Sequence, residues 1–386
     1  MSVLDGDLLA RIRSRASGYD RDNVFFEEDL AELRAAGYLT PRSLLETVRD
    51  QRMLAAYAPA TALGVNMHHV VVGIARVLHE RGDGSLDWLL AEAVAGELFA
   101  FGNSEAGNDQ VMFDSRTAAT PRPDGSYAFT GTKIFTSMSP AWSRLAIFGR
   151  DDTDPDNPVL VHGYITRDTP GHRALGDWDP LGMRATQSFT TVLDGVLVPA
   201  DRIARILPVG PSADPYIFGL FANFLLLVSS VYAGIADRAL ELAVEAVHRR
   251  TSLKNDGRAY SQDPDIRWQL ADAAIALDSL APQIDGLAAD VDGYGVDQHS
   301  VNGYGVNGPR NHGDAWFRLL VGTKTRAIDV ARSVIDTAMR VSGGGSYGAG
   351  NELSRLYRDA LAGLFHPSDP ESAHSTVATN LLGPTD

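Results

Sequence analysis

The sequence predicts a mainly α-helical protein with a central β domain. Amphipathic helical patterns fill the N-terminal quarter, and long helical patterns return in the C-terminal half. Between them, short runs with strand-like alternation are separated by proline and glycine turns. We therefore predict a helical domain over residues 1–97, a β domain over residues 98–208 and a helical bundle over residues 209–386.

Length, charge and composition narrow the class of protein. A chain of 386 residues can build two or three domains around a substantial core. The net charge of −15, with lysine and arginine scattered, lacks the basic patch of a protein that binds nucleic acid or an anionic membrane. The absence of cysteine excludes disulfides, thiolate catalysis and cysteine-ligated metals. With no basic-then-apolar N-terminal signal, a cytoplasmic enzyme is expected.

Five amphipathic segments account for the predicted N-terminal helical domain. They are Leu4–Ala16, Glu27–Ala36, Ser43–Tyr57, Ala60–Leu78 and Leu86–Gly96. Gly37 provides a stop after the second segment. The fourth is mostly apolar but contains Asn66, His68 and His69. A histidine on an apolar helix is more often structural than catalytic, so these two carry chemistry only if they share a pocket with another catalytic group.

The β domain contains the stretch that we expect to frame the functional site. Residues 127–130 alternate large and small side chains and lead into Gly131–Ser137. A second β-like run follows Pro140, and a third covers residues 181–199. A strand-rich middle between two helical blocks is uncommon. We therefore expect this β block to frame the functional site.

The C-terminal half is predicted to be helical. The predicted segments are Tyr216–Arg250, Pro264–Val291, Trp316–Val341 and a last helix after Pro370, and a break near Gly219 is left open. The apolar run from Tyr216 to Tyr232 is interrupted by small and polar residues, which favours a buried helix over a membrane span. The segment 286–313 is rich in glycine and asparagine and predicts an exposed loop, with a lid or an oligomer contact as alternatives.

Three further stretches are candidates for chemistry. The backbone of the polar loop Phe101–Asp109 could approach a heterocycle or a phosphate closely, although such loops are common turns. Ser342–Gly348 is a helix stop that could also cradle a phosphate. His366 precedes Pro367 in what must be an extended conformation, and the helix cap at Asp369 does not explain it.

Taken in order, these motifs resemble the acyl-CoA dehydrogenase superfamily across nearly the whole chain. The matching stretches are Ala106–Asp109, Gly131–Ser137, Leu181–Thr186 with Val196–Pro199, Arg250–Leu253 and Gly343–Gly344. The resemblance implies a middle β-barrel-like domain, a C-terminal four-helix bundle and a flavin site completed by a neighbouring subunit, hence a homotetramer or at least a dimer. It implies flavin contacts from Asn103, Phe135, Thr136, Ser137, Arg250, Ser252, Arg340, Gly343 and Gly344.

The departures from that family concern its catalytic carboxylate. Where the family has a glutamate after its Arg-Asp pair, this chain has His366-Pro367-Ser368. The alternative position, on the long apolar helix over residues 220–226, also lacks a carboxylate. Glu105 or Asp369 could substitute, although neither stands at a matching position.

The same departures resemble the flavin-dependent monooxygenase branch, which includes dibenzothiophene monooxygenase and two-component hydroxylases. That resemblance implies catalytic roles for Asn103, Ser137, His366 and one of His68 and His69. It implies that FMNH2 from a separate NAD(P)H:flavin reductase reacts with O2 to give a C4a-hydroperoxide, which oxidises a small apolar or aromatic substrate. FAD remains open as the cofactor. An acyl-CoA dehydrogenase with a relocated base and a non-catalytic flavin-binding protein remain as alternatives.

Overall fold

The computed structural model describes residues 2–110, 112–293 and 309–384 and confirms a mainly α-helical fold around a central sheet. The N-terminal helices are α1 Gly6–Asp22, α2 Glu27–Ala35, α3 Leu44–Ala55, α4 Pro59–Glu80 and α5 Asp87–Val94. Helix α1 extends past its predicted end at Ala16 because the first left-handed residue, Asn23, lies only after Asp22. Side-chain caps from Asp5 and Ser43 begin α1 and α3.

The central sheet follows as one mixed, eight-stranded layer. Its strands are β1 Phe99–Gly102, β2 Ala118–Pro121, β3 Tyr127–Thr136, β4 Arg144–Asp151, β5 Val159–Thr166, β6 His172–Ala174, β7 Phe189–Val198 and β8 Ile203–Pro208. The order is β6-β7-β3-β2-β4-β5-β8, with β1 paired in parallel to β4. One face encloses a separate apolar core that includes Phe129, Trp142 and Val196. The other face packs on the helices.

The C-terminal part contains six helices and a short hairpin among the described residues. The helices are α6 Pro215–Arg249, α7 Pro264–Asp278, α8 Leu280–Gly293, α9 Trp316–Ser342, α10 Glu352–Leu361 and α11 Pro370–Leu382, and the hairpin pairs β9 Thr251–Ser252 with β10 Arg258–Ala259. Helix α6 is unbroken at Gly219, where the absence of a side chain lets Ile74 and Val77 of α4 approach closely. The open question of a break is thereby settled.

Two predictions about this part were wrong. The segment Pro264–Val291 is two helices rather than one, since Pro282 cannot continue a helix through the carbonyl four residues before it. Residues 286–293, predicted as the start of a glycine-rich loop, are still helical in α8. Residues 294–308 of that predicted loop lie outside the described residues. The domain boundaries at 97/98 and 208/209 fall between elements of different type, and we keep them as a proposal.

Helices α4 and α6 form the centre of the molecule. Both are long and apolar enough to cross a membrane by length and composition, yet 100% and 94% of their apolar windows are buried inside the protein. They pack against each other, and α6 also packs along α3 and α9. The N-terminal half of α6 and one face of α4 therefore border the sheet, where a cavity opens.

Candidate functional site

A cavity of about 240 Å³ lies where α4, α6, the end of β3 and the segment after α10 meet. Its helical wall is apolar and consists of Leu63, Met67, Leu220, Phe221 and Phe224. Its polar groups come from the loop after β1, from Ser137 directly after β3, from residues 186–188 directly before β7, and from residues 358–367. An apolar pocket with a few convergent polar groups is the usual form of a small-molecule site.

Three hydroxyl groups form a chain along the sheet side of the cavity. The Oγ atoms of Ser137 and Ser188 are 2.9 Å apart, and Ser188 Oγ lies 2.8 Å from Thr186 Oγ1. Thr186 Oγ1 also donates to the carbonyl oxygen of Met183 at 2.9 Å. All three hydroxyl-bearing residues line the cavity, so the predicted site residue Ser137 is part of a longer polar array.

Phe135 and Thr136, the two residues that precede Ser137, differ in the orientation of their side chains. Phe135 lines the cavity, is 49% exposed and has a φ of 58°, a left-handed conformation that a bulky residue adopts only under structural constraint. Its ring meets Trp178 edge-on at 6.0 Å between centroids. The side chain of Thr136 instead points into the sheet, where its Oγ1 accepts a hydrogen bond from Thr191. Of these two predicted flavin contacts, the structure brings only Phe135 to the cavity.

Asn103, predicted as a site residue, also lines the cavity. It is 4% exposed, and its buried Oδ1 has no hydrogen-bond partner among the residues that the structure describes. Its Nδ2 lies 3.6 Å from the sulfur of Met112. Because an unpaired buried amide oxygen is costly, Asn103 is suited to accept a hydrogen bond from a ligand.

Glu105 anchors the loop that carries Asn103. Its carboxylate accepts six hydrogen bonds, from Asn108, Ser115, the backbone of Arg116, Thr117 (twice) and Lys133. Burial disfavours the charged form, but the charge and hydrogen bond of Lys133, together with the hydrogen bonds from Thr117 and the backbone of Arg116, outweigh it and lower the pKa of Glu105 to about 2. The carboxylate is thus ionised and saturated, and it does not line the cavity. It cannot serve as a relocated base.

His366 lines the cavity from the segment that follows α10. Its Nε2 is 2.8 Å from the hydroxyl of Tyr232, which is fully buried in α6. The buried Lys324 donates to the backbone oxygen of His366 at 2.8 Å. Burial, and then the charge of Lys324, lower the pKa of His366 to about 3, so the imidazole is neutral near pH 7. With Nε2 engaged, Nδ1 is the ring nitrogen left for a ligand.

The two histidines of α4 do not reach the cavity. His68 is held through both ring nitrogens, with Nε2 2.7 Å from the oxygen of Leu39 and Nδ1 accepting from the N–H of Phe99. His69 lies edge-on to Tyr38, and burial lowers its pKa well below the usual value. The α4 residues at the cavity are Leu63 and Met67. The expected catalytic histidine on this helix is therefore absent from the cavity lining.

The other predicted cofactor contacts cluster at the far end of α6. Arg250 donates to the oxygen of Ser342 and stacks on Tyr260, with 4.7 Å from its guanidinium to the ring centroid. Gly343 has a φ of 76°, and a Cβ there would meet Arg250. From Phe221 to Arg250 the helix rises about 40 Å. None of Arg250, Ser252, Arg340, Gly343 and Gly344 lines the cavity of the same chain.

A clamp from α10 fixes the turn that leads into the hydroxyl chain. Asp359 accepts from the N–H of Met183 at 2.6 Å, and Arg358 binds Asp20 and the oxygen of Leu181. A Cβ on Gly182 would lie 2.2 Å from the oxygen of Arg358, which explains the glycine. Burial raises the pKa of Asp359 to about 6.

Sequence reasoning missed several of these residues. Thr186 ends the recognised motif that begins at Leu181, and Ser188 follows it, but no pattern shows that their hydroxyls join Ser137. Tyr232 lies on α6 and Lys324 on α9, each more than 40 residues from the histidine that it contacts. Only the tertiary structure reveals them.

Comparison with known proteins agrees with this architecture. Residues 226–368 match the family described as "Acyl-CoA dehydrogenase, C-terminal domain". The chain is 25% identical to an amino sugar nitrososynthase from Streptomyces rubradiris over 95% of this chain and 85% of the relative. It is 35% identical to dibenzothiophene monooxygenase from Mycolicibacterium goodii, over 37% of this chain and 36% of that protein.

A solved structure extends the similarity over nearly the whole chain. The structure is KijD3 in complex with FMN and dTDP-3-amino-2,3,6-trideoxy-4-keto-3-methyl-D-glucose. It superimposes with a TM-score of 0.81 at 26% identity and covers 98% of this chain and 92% of its own. The fold and site therefore define a flavin-dependent oxidoreductase of the acyl-CoA dehydrogenase superfamily. The chain is similar to proteins of the flavin monooxygenase branch of that superfamily.

Proposed function

We propose that this protein uses reduced flavin, as FMNH2, and O2 to hydroxylate a small, largely apolar or aromatic substrate or to oxidise a heteroatom in it. The proposal is supported by relatives that include monooxygenases and nitrososynthases and by a structural neighbour in complex with FMN.

One observation carries the choice of oxygenase over dehydrogenase. Among the described residues that line the cavity there is no aspartate or glutamate, and the titratable side chains are Arg358 and His366. A dehydrogenase of this superfamily requires a carboxylate to remove a substrate proton. Glu105 is saturated with hydrogen bonds, and Asp369 caps α11 by accepting from the N–H of Ser372. Neither of the two substitutes left open by the sequence is free to act as that base.

The residues at the cavity fit a flavin ring. Phe135 offers an aromatic surface, and Ser137 and the unpartnered Oδ1 of Asn103 offer hydrogen-bonding atoms. When bound, reduced flavin supplies the electrons that activate O2. The apolar wall of α4 and α6 excludes water from that chemistry, which protects a reactive intermediate from breaking down.

His366 is placed to manage a proton at the cavity. The imidazole is neutral, and its Nε2 is engaged with Tyr232. If the tyrosine hydroxyl donates to Nε2, the proton of His366 is on Nδ1 and can be donated to a ligand oxygen. The neighbouring charge of Lys324 disfavours a protonated imidazolium, which keeps this group a neutral donor.

The proposal includes partners and an assembly. Among the described residues no strand leads through a Gly-x-Gly-x-x-Gly turn into a helix, so FMNH2 would come from a separate NAD(P)H:flavin reductase. The cluster around Arg250 and Gly343 is too far from the cavity of its own chain to contact the same flavin. It would complete the site of a second copy, in a homotetramer or at least a dimer. FAD, with a larger tail for that cluster, is the alternative cofactor. A cytoplasmic location is part of the same proposal.

The test is rapid mixing of the protein, loaded anaerobically with FMNH2, against oxygenated buffer while absorbance is followed. We expect an absorbing species distinct from both reduced and oxidised FMN, and a shorter lifetime for it in the Ser137→Ala and His366→Ala variants. Immediate formation of oxidised FMN and hydrogen peroxide, as for free FMNH2, would contradict the proposal. Anaerobic reduction of the bound flavin by acyl-CoA thioesters would instead support the dehydrogenase.

A further inference from the structure

We propose that Thr186 and Ser188 are positioning residues that fix the hydroxyl of Ser137 as a hydrogen-bond acceptor toward the cavity, so that the site binds reduced FMN more tightly than oxidised FMN. This inference rests on the proposed function, because it requires FMN in the cavity. It extends that function by attributing the preference of the site for reduced FMN to the hydroxyls of Ser137, Thr186 and Ser188.

Which hydroxyl donates to which, along the series Ser137, Ser188 and Thr186, follows from the bond that Thr186 makes to a carbonyl oxygen. A carbonyl oxygen cannot donate, so the contact between Thr186 Oγ1 and the oxygen of Met183 uses the hydroxyl hydrogen of Thr186. Each hydroxyl has one hydrogen and two lone pairs. Ser188 must therefore donate to Thr186, and Ser137 must donate to Ser188. Ser137 is left with lone pairs for a ligand.

The surroundings hold this end of the chain in place. Thr186 is 1% exposed and Ser188 is 5% exposed, so the hydroxyls have few alternative partners. The Met183 carbonyl is fixed by a second bond, from the N–H of Thr186 at 3.1 Å. The N–H of Met183 is itself bound to Asp359 at 2.6 Å. The acceptor that sets the direction is thus part of the α10 clamp.

Reversing the donors and acceptors among the three hydroxyls costs one hydrogen bond. For Ser137 to donate to a ligand, Ser188 must donate to Ser137 and Thr186 must donate to Ser188. The Met183 carbonyl then loses its hydroxyl donor. A hydrogen bond of this kind changes an equilibrium constant by about 2- to 12-fold. The unreversed chain is therefore favoured by roughly that factor.

The two redox states of FMN require opposite hydrogen-bonding partners at N5 of the flavin ring. Two-electron reduction places a hydrogen on N5 of the flavin ring, which turns this nitrogen from an acceptor into a donor. A wall that presents an acceptor is matched to the reduced ring and mismatched to the oxidised ring. Release of oxidised FMN after turnover and capture of fresh FMNH2 are both favoured by this mismatch.

The experiment measures the dissociation constants of oxidised FMN and of anaerobically reduced FMN by titration calorimetry. The quantity compared is the constant for oxidised FMN divided by the constant for reduced FMN. Wild-type protein is expected to prefer the reduced form. Thr186→Val and Ser188→Ala each free Ser137 to donate, so the ratio should fall by about 2- to 12-fold. A tenfold fall corresponds to a decrease of about 30 mV in the two-electron potential of bound FMN, which a potentiometric titration checks independently.

The matched control is Thr191→Val. Thr191 is a buried threonine of β7 whose hydroxyl donates to Thr136 and not to the chain, so its loss should leave the ratio unchanged. An unchanged ratio in both folded variants, Thr186→Val and Ser188→Ala, would overturn the inference while FMN binding itself stands. If wild-type protein binds neither form of FMN, the proposed function fails with it. The smaller Ser188→Ala change decides the matter if Thr186→Val does not fold.

Discussion

Glu105 and His366 are both polar groups in buried clusters beside the same cavity, but their clusters differ in what is left unsatisfied. The carboxylate of Glu105 accepts six hydrogen bonds and faces Lys133 at 2.7 Å. The imidazole of His366 has a bond to Tyr232 at one ring nitrogen and lines the cavity.

The comparison separates a structural polar cluster from a reactive one. In the first, every lone pair of the carboxylate is directed at the protein, and the pKa is driven to a value at which it cannot exchange a proton near pH 7. In the second, one atom remains available to a ligand. The two histidines of α4 are also buried, but neither of them lines the cavity.

The largest effect is expected at His366. Replacing His366 with alanine should lower substrate oxidation by about 10²–10⁴-fold, the contribution of a positioned acid–base group. Product formation per FMNH2 consumed is the measurement. The control is His69→Leu, which removes a buried imidazole away from the cavity and should leave that yield near the wild-type value. Equal losses in the two variants would remove the distinction drawn here.

Breaking the Glu105–Lys133 pair should act on stability. Lys133→Met leaves a buried carboxylate without its counter-charge, and we expect a loss of about 3–5 kcal/mol in the free energy of unfolding. Urea denaturation followed by circular dichroism measures it. Arg21→Met removes the exposed pair with Asp22, which solvent screens, and should leave the free energy of unfolding almost unchanged. A similar small cost for Lys133→Met would show that the buried pair does not anchor the loop.

The pH dependence of stability offers a third test, at a buried histidine away from the cavity. His162 stacks on Phe148, and neither of its ring nitrogens has a hydrogen-bond partner in the described part of the chain. Burial lowers its pKa to about 3. Between pH 6.5 and pH 3 the unfolded chain therefore binds a proton that the folded chain does not. The stability is fully present above pH 6.5 and is lost as the pH falls, by up to about 1.4 kcal/mol per pH unit.

The measurement compares urea denaturation of wild-type protein and His162→Phe at pH 7 and pH 5. The comparison is needed because buried carboxyls such as Asp29 and Asp237, whose pKa values are raised to about 6 by burial, act in the opposite direction in both proteins. The variant should lose less stability on acidification than the wild type. Parallel losses would mean that His162 titrates as it does in water.

The smallest effect is expected from Tyr232→Phe, which removes only the hydroxyl that holds His366. One hydrogen bond is worth about 0.5–1.5 kcal/mol, so the unfolding free energy should fall by that amount. If the role of Tyr232 is purely structural, the substitution should change only the unfolding free energy. If Tyr232 orients the imidazole, the yield of product per FMNH2 should also fall, with hydrogen peroxide rising in its place. An unchanged yield would limit Tyr232 to packing.

Local pattern was enough to predict most of the fold. Periodicity located the N-terminal helices and α9, and alternation located β3. The errors came where the pattern did not change at a boundary: α1 continued past Ala16, and Pro282 divided a segment that reads as one helix. Such boundaries depend on caps and on single residues, which periodicity averages over.

The amino-acid sequence by itself determined the class of protein, the order of its helical and β parts, and the candidates Asn103, Phe135, Ser137 and His366, because each stands in a local motif. The tertiary structure decided which candidates meet. The bond from Ser137 to Ser188 spans 51 residues, that from Tyr232 to His366 spans 134, and that from Met183 to Asp359 spans 176. Contacts at such separations arise from the packing of whole elements, and no local pattern encodes them.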